Sequence, residues 1–277
     1  MKSGYDPGFL GLQVPLPTVP SPIPTTQLPY SHFTVVLRLD RRLAAVSAVN
    51  IHGALLKAVP RTMDPWRIDP RVGDGAQATN SIYVGNDFDR GHLTRREDPC
   101  WGTQAEAEEA NSDTFYFTNA APQVATFNQS KSLWRGLEDY VIEHAEKYEQ
   151  RLNVFTGPIL DESDPLYRGL RVPLQFYKII AWVGEGGLSA TGYILDQSEL
   201  VEQLLSGPSV QASPLGKYRT YQVPVELIAG RTELHLPELV DADVLTLPED
   251  ALPGTMSREL TLTRLEDVQL LPGPTAG

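Results

Sequence analysis

Cysteine is almost absent from this chain: Cys100 is the only one among 277 residues. No intrachain disulfide can form, and the composition suits a reducing compartment, so a cytoplasmic setting is expected. Long apolar runs are missing too. None approaches the ~20 residues that span a bilayer, and no membrane partner is expected. The N-terminus has one lysine and no apolar stretch ahead of a small-residue cleavage site, so no secretory signal is read there, while secretion by another route stays open. Positive charge is in deficit, with 23 Lys and Arg against 35 Asp and Glu, a net charge of −12. Nucleic-acid binders usually carry a basic stripe, and the whole-chain balance counts against one here. Net charge governs solubility and non-specific attraction, however, whereas a site needs only local positive charge. The chain also lacks a P-loop, G-x-S-x-G, H-E-x-x-H and C-x-x-C, and shows no internal repeat or heptad.

What is present suffices for a full core: 41% of the residues are hydrophobic. Residues 1–30 hold Pro15, Pro17, Pro20, Pro22, Pro24 and Pro29, and read as an extended arm laid on the surface. Residues 31–245 read as the main domain. Residues 246–277 alternate Pro, Gly and acids, a tail with one strand near Leu260. Residues 33–39 and 43–51 form an expected hairpin around Asp40-Arg41-Arg42. Residues 114–118, 152–156, 176–183 and 188–195 read as strands, with Gly184-Glu185-Gly186-Gly187 as a hairpin turn. Leu133, Leu137, Tyr140, Val141, Ala145 and Tyr148 share one helical face. Residues 97–113 are an acidic insert with a short helix, residues 199–205 another helix, and residues 221–228 close the domain.

The chemistry concentrates in the middle. Asp89-Arg90-Gly91-His92 follows a β-prone run at 82–84 and a Gly85-Asn86-Asp87 turn, and Arg95 and Arg96 come just after. Then come Thr118-Asn119-Ala120-Ala121-Pro122-Gln123, Phe127-Asn128-Gln129, and Trp134, Leu137 and Glu138. A neutral imidazole can take a proton from water near pH 7, and Gly91 lets the backbone turn so that His92 faces a cleft. His32, His52, His144 and His235 lack such a context and read as surface or core. Asn128 offers a hard, neutral oxygen to a cation, or caps the helix that follows; both can hold. Glu138 is either a solvated helix-face acid or an acceptor for metal-bound water. Arg90 meets a phosphate or pairs with Asp89. Arg90, Arg95, Arg96, Lys131 and Arg135 supply local positive charge around the motifs.

Four motifs in this order, D-R-G-H, T-N-x-x-P-Q, F-N-Q and W-x-x-L-E, resemble the endonuclease G-like DNA/RNA non-specific endonucleases, the ββα-metal or His-Me finger group. The resemblance covers residues 60–195 well and the flanks more loosely. It extends to Val154-Phe155-Thr156-Gly157-Pro158 and to Val172-Pro173-Leu174-Gln175-Phe176-Tyr177-Lys178. It implies an α+β fold with a central, mainly antiparallel sheet flanked by helices. It also implies phosphodiester hydrolysis of DNA and RNA without sequence choice, leaving 5′-phosphate and 3′-hydroxyl ends. His92 would be the general base, Asn128 the direct ligand of Mg²⁺ (Mn²⁺ or another divalent cation being the alternative), and Glu138 an acceptor from metal-bound water. Asn119 would shape the site by hydrogen bonds and Asp89 hold metal waters. Arg61, with Arg67 nearby, would join Arg90, Arg95 and Arg96 on the substrate phosphates, and Gln123 would be structural. Homodimers are frequent in the group, and whether an inhibitor or regulatory protein is a partner stays open. The rival readings are a non-catalytic nucleic-acid-binding module on the same fold and a protein-interaction module, which the acidic surface and Pro-rich arm would suit.

One departure from the family pattern has a geometric consequence. The relatives place tryptophan four and glutamate eight positions after the metal asparagine, whereas Trp134 and Glu138 lie six and ten after Asn128. Two extra residues rotate the later part of a helix by about 200°. The addition is therefore expected in Ser130-Lys131-Ser132, ahead of the regular helix, with Ser130 or Ser132 as its cap, so that Glu138 keeps its inward place.

Overall fold

The computed structural model describes residues 2–61, 65–125, 134–184, 186–206, 219–245 and 260–262. Its strands are β1 (Thr25–Pro29), β2 (Phe33–Arg38), β3 (Leu43–His52), β4 (Phe88–His92), β5 (Ala120–Val124), β6 (Arg151–Ile159), β7 (Leu166–Tyr167), β8 (Leu170–Arg171), β9 (Gln175–Gly184), β10 (Gly187–Asp196), β11 (Arg219–Val223) and β12 (Leu260–Leu262). Its helices are α1 (Gln104–Asp113), α2 (Trp134–Lys147), α3 (Ser198–Ser206), α4 (Val225–Thr232) and α5 (Pro237–Asp241).

Eight strands form one sheet in the order β1-β2-β3-β6-β9-β10-β11-β12, and every pairing is antiparallel. The central strands are apolar on both faces because both are covered. On β9, Phe176, Ile180 and Trp182 join one core, while Tyr177, Ile179 and Ala181 join the other, as a period of two requires. The first core also takes in Phe88 of β4, Ala121 and Val124 of β5, Leu137, Val141 and Ala145 of α2, and Leu200 and Val201 of α3. The second is closed by Tyr5 and Val14 with Val225, Ile228 and Leu239 of α4 and α5. A β4–β5 ladder followed by α2 thus lies on one face of an antiparallel sheet, the α+β arrangement expected from the motifs.

The polar side chains inside these strands mark where things attach. On the α2 face, Ser47 of β3 lies beside Thr156 of β6, and Thr156 beside Lys178 of β9, a polar row crossing three central strands. On the opposite face Asn50 pairs in register with Asn153, and the Asn50 amide donates to Asn153 Oδ1 at 2.8 Å. Asn153 in turn donates to Tyr5 Oη at 2.8 Å, and Tyr5 Oη donates to the Val14 carbonyl.

That last network corrects the reading of residues 1–30 as a surface arm. Val14 is fully buried, Tyr5 nearly so, and β1 is an edge strand of the main sheet. Prolines suit such a segment because an edge strand can spare ladder donors. Two strand expectations also fail. Within residues 82–84 the chain makes a 3-10 turn, Asn80–Ile82, and leaves Val84 55% exposed. Residues 114–118 run through a turn into the 3-10 helix Phe117–Asn119, because Thr114 and Asn119 bond nearby backbone instead of a ladder. Asp89-Arg90-Gly91-His92 is itself a strand, β4. Of the expected tail, residues 246–259 and 263–277 lie outside the described residues, and β12 falls where a strand near Leu260 was expected. No helix among the described residues is long and apolar enough to cross a membrane.

The position of α2 is fixed at its C-terminal end by a backbone contact that tolerates only glycine. A Cβ on Gly53 would lie 1.8 Å from the Ala145 carbonyl oxygen, and the Gly53 N–H donates to the Gln150 carbonyl at 2.8 Å. Gly53→Ala is therefore expected to destabilise the fold by about 3 kcal/mol, the upper end for overpacking, because backbone rather than a side chain must move. Urea unfolding checks this; a midpoint equal to that of the wild type would mean that α2 docks less tightly.

Candidate active site

β4 presents Phe88, Arg90 and His92 on one side and Asp89 and Gly91 on the other. Gly91 is needed because the Gln123 side chain of the paired strand β5 fills its Cβ position, 2.2 Å from Gln123 Cδ. Gln123 is thus structural. His92 ends the strand on an aromatic floor. Its ring centroid lies 4.5 Å from that of Trp66 and 4.9 Å from that of Phe115, the latter edge-on. Trp66 stacks further on Phe117, and Phe117 on Tyr83. The imidazole is half-buried, and its Nε2 is enclosed without a hydrogen-bond partner. Burial, then the charges of Arg61, Arg96 and Arg95, hold its pKa down to about 3. His92 is therefore neutral at physiological pH in the substrate-free protein.

Asn119 fixes the chain that leaves β4. Its Oδ1 accepts from Ser47 Oγ and the Thr94 N–H, both at 2.9 Å, and its Nδ2 donates to the carbonyls of Thr94 at 2.8 Å and Thr114 at 3.0 Å. The residue is fully buried, with its amide oxygen and its amide nitrogen each doubly engaged. Ser47 also shares a hydrogen bond with Thr94 Oγ1 at 2.7 Å, which ties the loop after His92 to the polar row of the sheet.

Glu138 sits on the inner side of α2. Its Oε1 is 3.3 Å from Lys178 Nζ, and its side chain is 15% exposed. Lys178 is almost fully buried, contacts Thr156 Oγ1 at 3.2 Å, and lowers the pKa of the neighbouring Asp98. Burial nonetheless pushes the Asp98 carboxyl up to about 7, with Glu138 adding to the effect. Arg95 lies between this acid cluster and His92, donating to Asp139 at 2.5 Å and pairing with Glu97 at 2.9 Å.

The placement of the expected residues is uneven. His92, Arg61, Arg95 and Arg96 come together, and Asn119 and Glu138 border them. Arg95 and Arg96 are held by carboxylates, Arg96 by Glu97 at 2.5 Å, so neither is an uncompensated charge. Arg90 bonds Asn80 Oδ1 and lies over the Tyr83 ring, not with Asp89, which faces the other side of β4. Arg67 is engaged by the Ser112 carbonyl at 2.8 Å and stacks on Tyr116. Asn128 lies outside the described residues, as do Ser130, Lys131 and Ser132. The described part of α2 runs from Trp134 and turns Glu138 toward the sheet, while the residues ahead of it lie outside the described residues. Lys178 and Asp98 were missed. A lysine in the nearly continuous apolar run of β9 was the available signal, because a buried ammonium needs an acid partner. Asp98, inside an acidic stretch, gave none.

Among the described residues no three His, Cys, Asp or Glu side chains form a metal-binding group. Mg²⁺ does not require one, since it keeps several waters and takes one or two protein oxygens. The donor chemistry suits such a hard ion: Glu138 spends Oε1 on Lys178, and Asn128 would offer an amide oxygen.

A β4–β5–α2 unit on an antiparallel sheet, with D-R-G-H on its first strand, defines the ββα-metal nuclease class. The structure superposes with a TM-score of 0.57 on the crystal structure of the EndoG/EndoGI complex, at 22% identity, covering 76% of this chain and 84% of that one. The chain belongs to the DNA/RNA non-specific endonuclease family, whose model matches residues 14–243. It is 35% identical over 274 residues to the uncharacterized protein y4fB of Sinorhizobium fredii, covering 89% of this chain and 41% of that protein. It is 32% identical over 176 residues to mitochondrial endonuclease G of Homo sapiens, covering 59% of this chain and 52% of that one. The chain thus spans about half the length of these two relatives or less.

Two outcomes follow for stability. Lys178→Met leaves Asp98 and Glu138 near each other without their buried cation, and is expected to cost about 3–5 kcal/mol in urea unfolding. Lys178→Met/Glu138→Gln should recover part of that loss; a Lys178→Met protein as stable as the wild type would dissolve the cluster. The second concerns pH. An unfolded imidazole titrates near 6.5 and the folded His92 near 3, so between these values the unfolded chain binds the extra proton. The His92 contribution is whole above about pH 6.5 and declines as pH falls toward 3. His92→Asn should therefore lose less unfolding free energy than wild type between pH 7.5 and 5, and equal losses would contradict the buried neutral imidazole.

Proposed function

We propose that this chain is a divalent-metal-dependent endonuclease that hydrolyses phosphodiester bonds of DNA and RNA, with His92 as general base. The observation that carries the reading is the state of His92: neutral, seated on Trp66 and Phe115, and ringed by Arg61, Arg95 and Arg96. Nε2 is enclosed without a hydrogen-bond partner, which makes it the ring nitrogen less open to water. Nδ1 is then the atom that takes a proton from water. A base of pKa near 3 is weak, and the best base titrates near the working pH. An arriving phosphodiester places negative charge beside the imidazole and stabilises the imidazolium, which raises the pKa toward that range. Substrate binding thus prepares its own base.

In the reaction, water oxygen bonds to phosphorus as its proton passes to Nδ1, and the bond from phosphorus to the 3′ oxygen breaks. The products are a 5′-phosphate and, after protonation of the leaving oxygen, a 3′-hydroxyl. Asn128, with Glu138 through water, would hold the cation. When bound, that ion supplies positive charge to a non-bridging oxygen and to the leaving oxygen. Asn119 keeps the loop after His92 in place, and the Lys178–Glu138 pair aims the carboxylate. Contacts to phosphates rather than bases explain an indifference to sequence. The solved EndoG/EndoGI complex supports an inhibitor protein as a partner type. A homodimer and a cytoplasmic setting belong to the same proposal.

His92→Ala is expected to keep the wild-type unfolding midpoint at neutral pH to within a few degrees and to lose about 10²–10⁴-fold in plasmid cleavage. EDTA should abolish wild-type cleavage and Mg²⁺ or Mn²⁺ restore it. Undiminished cleavage by folded His92→Ala protein would remove His92 from the chemistry. Binding without cleavage at any metal concentration would favour the non-catalytic module.

A further inference from the structure

The arginines of this acidic protein differ in what holds them. Several are neutralised locally, such as Arg38 by Asp40, Arg41 by Asp164 and Arg71 by Asp69, each at 2.5 Å. Arg90, Arg168 and Arg42 are different. Each is anchored by uncharged oxygen: Arg90 by Asn80 Oδ1, Arg168 by the carbonyls of Ser81 and Val84 at 2.9 and 2.6 Å, and Arg42 by the Gly169 carbonyl. None has a carboxylate within ion-pair distance among the described residues. A carbonyl fixes a guanidinium without cancelling its charge, and it occupies only some of the five donors.

The three are also contiguous. Arg90 holds Asn80, Arg168 holds Ser81 and Val84 of the same turn, and Arg42 holds the residue after Arg168. Tyr167 lies under the Arg168 guanidinium at 5.0 Å and against Phe88, two residues from Arg90 on the same side of β4. Arg90 is itself two residues, about 7 Å, from His92 on that side. Arg42 and Arg168 occupy left-handed backbone, φ 56° and 48°, where Gly or Asn would fit at less cost. Arginine at both turn tips is consistent with use of the side chain.

We propose that Arg90, Arg168 and Arg42 form a phosphate track that leads away from His92 and seats the nucleic-acid strand on one side of the cleaved bond. The proposal rests on the endonuclease reading and adds the route of the substrate. The track explains how a chain of net charge −12 can hold a polyanion: three guanidinium charges lie along one line, while among the described residues Arg38, Arg41, Arg67, Arg71, Arg95, Arg96 and Arg171 each have a carboxylate within ion-pair distance.

The test uses Arg42→Gln/Arg168→Gln, with Arg42→Lys/Arg168→Lys to keep the charge and Arg38→Gln as a neutralised control. Binding of a 30-base-pair duplex is followed by fluorescence anisotropy in EDTA, and cleavage of 6- and 30-nucleotide DNA in Mg²⁺. The Gln pair should reduce the slope of log binding constant against log salt by about 1.8, or 0.9 per phosphate lost. It should raise KM for the 30-mer about tenfold, with kcat and the 6-mer little changed. The Lys pair should retain most of the slope, and Arg38→Gln all of it. A Gln pair with wild-type slope and KM, or a Lys pair as impaired as the Gln pair, overturns the track. Should the wild type bind but fail to cleave while the Gln pair shows the expected loss of slope, the endonuclease reading falls and the track stands.

Discussion

The Asn119 amide holds the site together. Four hydrogen bonds bring β3, the loop after β4 and the turn before β5 to one buried point. Each would leave a buried polar group unpaired if lost, at about 1–3 kcal/mol apiece. His92 lies two residues before Thr94, so it inherits this rigidity without sharing its hydrogen bonds. Ser47 passes the same constraint into the sheet, where Thr156 and Lys178 continue the polar row toward Glu138. His92 on β4 and Glu138 on α2 are thus referenced to neighbouring strands of one sheet. This matters because small misplacements of reacting groups are costly in rate.

Electrostatics divide the molecule in a similar way. Around His92 burial, and then the nearby positive charge, depresses the imidazole. Around Lys178 two acids crowd one ammonium, and Arg95 connects the groups through Asp139 and Glu97. Such a site is poised for an anion: charge brought in by a phosphate relieves the field at His92.

Much of this was legible in the sequence. The β-prone runs of β2, β3, β6, β9 and β10 and the helical face of α2 gave the sheet and its main covering helix, and the ordered motifs gave the family. Three features escaped for physical reasons. Residues 82–84 and 114–118 carry β-prone side chains, but hydrogen bonds to local backbone won over ladder formation. Residues 2–30 looked like a surface arm from their prolines, yet Tyr5 and Val14 close the second core, a tertiary effect that no local pattern reveals. The arginines near the motifs looked alike in sequence, and only the fold shows that Arg95 and Arg96 face carboxylates while Arg90, Arg168 and Arg42 hold neutral oxygens. Lys178 was visible as an anomaly in an apolar strand but could not be paired without the position of α2.

The central claim is that the fold keeps His92 uncharged before substrate arrives, with its proton on Nε2 and its lone pair on Nδ1. Long-range ¹H–¹⁵N correlation NMR of the imidazole ring reports both tautomer and protonation. Across a titration from pH 8 to 5 in the absence of nucleic acid, the account predicts a constant neutral Nε2–H signature for His92. An imidazolium forming near pH 6.5, or a proton resident on Nδ1, would contradict it.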